Sequence, residues 1–279
     1  AMGLELLPPD VNRGQFQFSV DEEGNVIYGL GAIKGLGEGP VENILAARNE
    51  GGCFKDIFDF CARVDGRKVN KRALEALIRS GAFDEIGPEG EIGYRRAVML
   101  AAMEEAVKLA EQHARNTSSG MGDLFGESIV ESASDINYNS YSAARTLSPK
   151  ERLNGERDTL GLYLTGHPID EYEQELSQMH PNRISKLRPA KNTTTVSGMV
   201  VGMRIMKNKR GENFAFLTLD DKSGRLEVSV FAEKYNAYRE ILVKDALLVV
   251  QGGVSEDSFT GGLKMLAESI QSIYEARCS

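Results

Sequence analysis

The chain has 279 residues, of which 41% are hydrophobic and 27% charged, and it carries a net charge of −8. That length suits two or three domains, and no apolar run is long enough to cross a bilayer as a helix. The acidic balance argues against indiscriminate coating of a polyanion, which needs an excess of Lys and Arg, so any nucleic-acid contact must use local basic patches.

The imbalance is uneven, since residues 191–279 hold 12 basic and 11 acidic side chains while the segments before them are acidic. Cys53, Cys61 and Cys278 form no CxxC pair, which suggests a reducing cytosol and no structural zinc. His113, His167 and His180 are too scattered to suggest a metal cluster. Ala1-Met2-Gly3 reads as a cloning scar and no signal peptide is visible.

Residues 1–28 begin at a proline pair, Pro8-Pro9, as if cut from a longer chain. Gln15-Phe16-Gln17-Phe18-Ser19-Val20 alternates, and the turn Glu22-Glu23-Gly24-Asn25 predicts a β-hairpin closing on Val26-Ile27-Tyr28.

Residues 29–115 read as mainly helical. Tyr28-Gly-Leu-Gly-Ala-Ile-Lys-Gly-Leu-Gly-Glu-Gly-Pro40 joins an apolar turn to a glycine hairpin, and Pro40 opens the next helix. This is the pattern of a helix-hairpin-helix, in which amides at a helix start approach a phosphate. Gly35, Leu36 and Gly37 would supply the amides and Lys34 a charge, against repulsion from Glu38. Val41, Ile44, Leu45 and Arg48 keep helical spacing until Gly51-Gly52. Phe54, Ile57, Phe58, Cys61 and Val64 line a second stripe. Asn70 caps a third helix with Leu74, Leu77 and Ile78 turned to the core. Ser80-Gly81-Ala82-Phe83 breaks that helix and loosely echoes the first hairpin, which predicts a tandem pair. The second would offer Arg79, Ser80 and Gly81, with Lys68, Lys71 and Arg72 on the approach and Asp84 and Glu85 diluting the field. A long helix then runs from about Ile92 to Arg115.

Residues 116–145 have the composition of a flexible linker, and 146–193 read as a mixed connector. From Thr194 the period becomes two. Strands are predicted over 196–205, 213–219, 225–231, 246–252 and 262–272, with a helix over 233–242 after the third. That order, βββαββ in about 80 residues, is that of an OB-fold barrel. The fold class is therefore α+β and multidomain, a helical helix-hairpin-helix part followed by the barrel over 194–279. Lys207, Lys209 and Arg210 form a basic turn between the first two strands, with Arg204 and Lys222 as further cations for it. Phe214 and Phe216 either stack bases or fill the barrel. Asp220-Asp221 precedes Lys222-Ser223-Gly224 and reads as a turn rather than a metal site.

The strings Tyr28–Pro40, Ser80-Gly-Ala-Phe-Asp84, Gly161-Leu-Tyr-Leu-Thr-Gly-His-Pro168 and Leu219-Asp-Asp-Lys-Ser-Gly-Arg225 resemble the C-terminal region of bacterial replicative DNA polymerases, the DNA polymerase III alpha-subunit family. The resemblance covers essentially the whole chain. It implies tandem helix-hairpin-helix motifs for double-stranded DNA, an OB domain near single-stranded DNA, and a place among the other polymerase III holoenzyme subunits in the cytoplasm. The family's PHP domain, its palm with metal-binding aspartates and its extreme C-terminal domain have no counterpart, so the Mg²⁺ of nucleotidyl transfer is expected elsewhere in the parent chain and no cofactor here.

The resemblance also implies that Met121-Gly122-Asp123-Leu124-Phe125 binds the sliding clamp (the beta subunit). Burying Leu124 and Phe125 in a partner contributes roughly 3–6 kcal/mol before ordering costs. The family pattern starts with glutamine, and Met121 forgoes about 1 kcal/mol of hydrogen bonding. Alternatively Leu124 and Phe125 pack on their own domain. Two other classes compete with this one. Gly29, Gly31 and Gly35 do not have the GxGxxG spacing of a dinucleotide-binding oxidoreductase. A repair or branched-DNA-binding factor would share both modules but not the clamp peptide.

Overall fold

The computed structural model describes residues 5–118, 137–174, 176, 182–257 and 261–276. The chain divides into two units, Ala1–Gly166 and His167–Ser279. The stretch read as a connector, 146–193, is shared between them.

In the first unit, strands β1 (Leu6–Leu7), β2 (Ser19–Val20) and β3 (Val26–Ile27) form a small sheet with β3 in the centre, antiparallel to β2 and parallel to β1. The expected hairpin is present. Asp21 closes it by accepting the amides of Glu23 and Asn25 at 3.0 and 2.8 Å.

Five α-helices follow among the described residues of this unit. Helix α1 (Glu38–Gly51) stops at Gly52, where φ is 76°. Asp56 caps α2 (Ile57–Arg63) and Asn70 caps α3 (Lys71–Ser80), each accepting an amide of the first turn. Helix α4 (Ile92–Ser118) is the longest. Helix α5 (Pro149–Leu160) was not anticipated. Ser148, Pro149 and Glu151 build a capping box with proline in the first turn, and Gly161 ends the helix with φ of 82°.

The core gathers Leu30, Ile33, Val41 and Ile44 with α2 and α3 residues. Phe60 sits between Phe54 and Phe83 at ring distances of 4.8 and 4.9 Å, both edge-on.

One charged cluster lies inside this core. Arg96 on α4 and Glu156 on α5 are both 0% exposed, and Asp84 is nearly so. Arg96 grips Asp84 through Nε and Nη2 (2.9 and 2.6 Å) and Glu156 through Nη1 (2.9 Å). The other Glu156 oxygen accepts the amides of Leu164 and Thr165 at 2.8 and 3.0 Å. Burial works against the Asp84 charge and, despite Arg96, holds its pKa above the usual carboxylate range.

The second unit is a closed barrel. Its strands are β4 (Ala190–Lys207), β5 (Asn213–Asp220), β6 (Arg225–Val230), β7 (Leu247–Glu256) and β8 (Leu263–Ser272), in the order β4-β5-β6-β8-β7. Closure comes from the parallel β6–β8 pair and the antiparallel β4–β7 pair. Helix α6 (Ala232–Tyr238) follows β6 and α7 (Ile273–Ala276) follows β8. This is the predicted OB order. Ala215, Leu217 and Leu219 point inward with Leu226, Val228 and Val230 from the next strand.

Candidate nucleic-acid interface

The first hairpin is open. Leu30–Ala32 makes a single 3-10 turn, Ile33 and Leu36 are buried, and Lys34, Gly35, Gly37, Glu38 and Gly39 are exposed. Gly35 has φ of 93° with nothing within 4 Å of a built Cβ, and Gly37 is equally unobstructed. Gly37 is the N-cap of the 14-residue helix α1 and gives no side-chain cap. Among the described residues, no acceptor meets the amides of Gly35, Gly37, Glu38 or Gly39. The Leu36 amide, expected to join them, instead donates to the Ile33 carbonyl at 3.0 Å, and the four amides without an acceptor stand at the positive end of a helix dipole that suits an anion, with Glu38 opposing it. The hairpin is held from behind. The Lys34 amide donates to the Thr159 carbonyl at 2.8 Å, and the Tyr28 hydroxyl donates to that of Leu160 at 2.9 Å. Both acceptors belong to the last turn of α5.

The second hairpin is closed, which corrects the expectation of a matched pair. Ser80 is 0% exposed and Gly81 is buried. The Gly81 amide donates to Ile78 and that of Ala82 to Leu77, while the Ser80 hydroxyl donates to Leu77. These bonds finish α3 as a left-handed C-cap. A Cβ at Gly81 would lie 2.5 Å from Arg96 Nη2. Arg79 pairs with Glu75 at 2.7 Å, and its carbonyl accepts Arg96 Nη1 at 3.2 Å. Asp84, read as a diluting surface charge, is the buried partner of Arg96. Ser80 and Gly81 therefore have no amide or hydroxyl to offer a phosphate.

Lys68, Lys71 and Arg72 are exposed, but they stand at the opposite end of α3 from Gly81, about 15 Å away at 1.5 Å per residue. Lys71 lies 3.9 Å from Glu104. Of the three, Lys71 borders a groove of about 720 Å³ lined by Phe60, Leu74 and Val107. Its Cys61 thiol is pushed up to about 12, first by burial and then by Asp56, so it stays protonated.

The barrel presents a second face. Phe214 and Phe216 alternate with the inward Ala215 and Leu217, so they point out and are half-buried. Their rings meet edge-on at 5.5 Å. Arg204 opposes Phe216 and Met206 opposes Phe214 across the β4–β5 pair. Exposed Met206 and Leu266 continue this surface, Leu266 through its pairing with Ser229, the neighbour of Phe216.

At one end of the face, Asn208 shapes the basic turn by accepting the amides of Arg210 and Glu212 at 2.8 and 3.0 Å. Gly211 has φ of 80°. Lys207, Lys209 and Arg210 are exposed and enter no ion pair among the described residues. Lys222 does not join them. It sits in the β5–β6 turn, at the other end of β5, and binds Asp170 at 2.7 Å.

Asp221 makes that turn by accepting Ser223 and Gly224 amides on one oxygen and the Ile184 amide on the other. Asp220 pairs with Arg225 at 2.9 Å. Among the described residues no three His, Cys, Asp or Glu side chains converge on a point where an ion could sit. Met121, Gly122, Asp123, Leu124 and Phe125 lie outside the described residues.

Two family profiles fall one in each unit. A family profile described as a helix-hairpin-helix motif matches residues 3–91, and one described as an OB-fold nucleic acid binding domain matches residues 194–273. The chain is 52% identical to DNA polymerase III subunit alpha of Pseudomonas aeruginosa, over 99% of this chain and 24% of that protein. It is 46% identical to the subunit of the same name from Escherichia coli K12, over 99% of this chain and 23% of the relative. A solved domain of replication protein A from Methanococcus maripaludis is similar to 33% of this chain and 93% of its own length, with a TM-score of 0.27 and 23% identity.

Proposed function

Because the chain belongs to the DNA polymerase III alpha-subunit family, of whose members it spans about a quarter, we propose that it is the part of such a polymerase that holds DNA and the sliding clamp. Template-directed nucleotidyl transfer and its Mg²⁺ fall to the rest of the polymerase. The first hairpin grips the backbone of the duplex through the amides of Gly35, Gly37 and Gly39, with Lys34 adding charge. The barrel receives single-stranded DNA, with phosphates along Lys207, Lys209 and Arg210 and bases on Phe214 and Phe216. Met121–Phe125 tethers the clamp, which raises processivity through effective concentration rather than new chemistry.

The observation that carries the duplex reading is the row of exposed, acceptor-free amides at the start of α1. Two measurements test the whole. Clamp capture by the chain, with and without residues 119–127, should be lost on deletion, and capture that survives deletion refutes the tether. Duplex affinity should fall steeply with salt, and a flat salt dependence refutes the backbone grip.

A further inference from the structure

On its outward face the barrel sets a phosphate-seeking side chain beside a carboxylate that already holds it. The Arg204 guanidinium carbon is 5.6 Å from the Phe216 ring centroid. Its Nη2 donates to Oε2 of Glu227 at 2.9 Å. Glu227 stands on β6 across from Thr218 and two residues before Ser229, the register partner of Phe216. Both charged side chains are accessible, with exposures of 71% for Arg204 and 41% for Glu227. Lys264, opposite Glu227 in the β6–β8 pair, lies 3.5 Å from Asp257, and Arg225, two residues before Glu227, pairs with Asp220 at 2.9 Å. In the free protein Arg204 is therefore held over the ring that a base would stack on, and its charge is matched by Glu227 rather than left for a phosphate.

Resting on the single-strand reading above, we infer that Glu227 limits the affinity of this face by competing with the nucleic-acid backbone for Arg204. Binding is then an exchange. A base takes the ring from the guanidinium, and a phosphate takes the guanidinium from the carboxylate. The second step removes one ion pair as it makes another, so the contact contributes little net affinity and selects for strands that bring both a base and a phosphate to the spot. Glu227 acts only through Arg204, which separates this role from the general repulsion that any carboxylate exerts on DNA.

The test is a double-mutant cycle on the 279-residue chain. Its readout is fluorescence anisotropy with a labelled oligothymidine of roughly 12 nucleotides, titrated at several salt concentrations. Glu227→Gln should tighten binding by about threefold, the scale of one exposed ion pair. It should leave the slope of log affinity against log salt nearly unchanged, because Arg204 meets the same phosphate with or without Glu227. Arg204→Met should weaken binding and flatten the slope. In the Arg204→Met background, Glu227→Gln should then change nothing. Equal tightening by Glu227→Gln with and without Arg204, or no tightening at all, overturns the inference while leaving the single-strand reading in place. A wild-type chain that ignores oligothymidine at low salt overturns both. Thermal midpoints should match across the set, because both side chains are at the surface.

Discussion

The two hairpins of the helical unit share small residues and a preceding apolar helix turn, yet they end in opposite states. Around Gly35 the backbone is bare, and the amides of Gly35 and Gly37 meet no acceptor among the described residues. Around Gly81 the amides close the end of α3, and a guanidinium fills the space a side chain would occupy. The difference lies in what covers each turn. Arg96 comes from α4 and is neutralised by Asp84 and Glu156, whereas among the described residues nothing comes within 4 Å of a Cβ built at Gly35, Gly37 or Gly39. A local glycine pattern thus permits close approach without saying by what. At one turn the approach is left for a ligand, and at the other an arginine of the same chain has taken it.

The contrast is broken most severely at the buried cluster. Arg96→Ala should lower unfolding free energy by about 3–5 kcal/mol, because it strands two carboxylates in the core. Urea titration of the helical unit measures this, and a loss under 1 kcal/mol would mean that water reaches Asp84 and Glu156. Next come the two glycines. Gly35→Ala should cost about 1 kcal/mol for its positive φ alone, whereas Gly81→Ala should cost about 2–3 kcal/mol because its Cβ also collides with Arg96 Nη2. Equal losses would show that Arg96 yields.

On DNA the ranking reverses. Lys34→Ala should reduce the slope of log duplex affinity against log salt by about 0.9, and Arg79→Ala should leave it unchanged. Any flattening by Arg79→Ala would reinstate the second hairpin as a contact. The smallest effect concerns pH. The Ser148 amide and hydroxyl, followed by Arg145, hold Glu151 at about 2 rather than 4.5. The α5 cap is therefore fully effective above about pH 4.5 and weakens as pH falls towards 2. Glu151→Gln should flatten the acid limb of thermal stability across that window, and an unaltered limb would mean that the cap does not titrate.

Much of this was legible from residue order. The barrel strands were found to within a few residues, because Val, Leu and Ile alternate with polar partners and Asp221-Lys-Ser-Gly224 marks a turn. Whether Phe214 and Phe216 face inward was left open by the period alone. The structure decides it through Ala215, Leu217 and Leu219, a purely aliphatic set that fills the barrel. Helix α5 was legible but overlooked, since Ser148-Pro149-Lys150-Glu151 is a capping box with a first-turn proline. Its polar sequence, Arg-rich and Glu-rich, hid the signal of a packed face. The Arg96 cluster had no local signature, for its members come from three separate segments and only the tertiary fold brings them together.

Helix α5 carries one more consequence. Helix α4 ends at Ser118, and Asn137 caps the next described turn of the same unit. There the Tyr138 ring lies 5.8 Å from that of Phe58, and its hydroxyl accepts the Ile57 amide at 3.0 Å. The described segments on either side, α4 and the turn at Tyr138, thus both pack against α2. A chain cut between Ser118 and Asn137 should therefore stay together, because Tyr138, Glu156 and the last-turn carbonyls of α5 still hold the part before the cut.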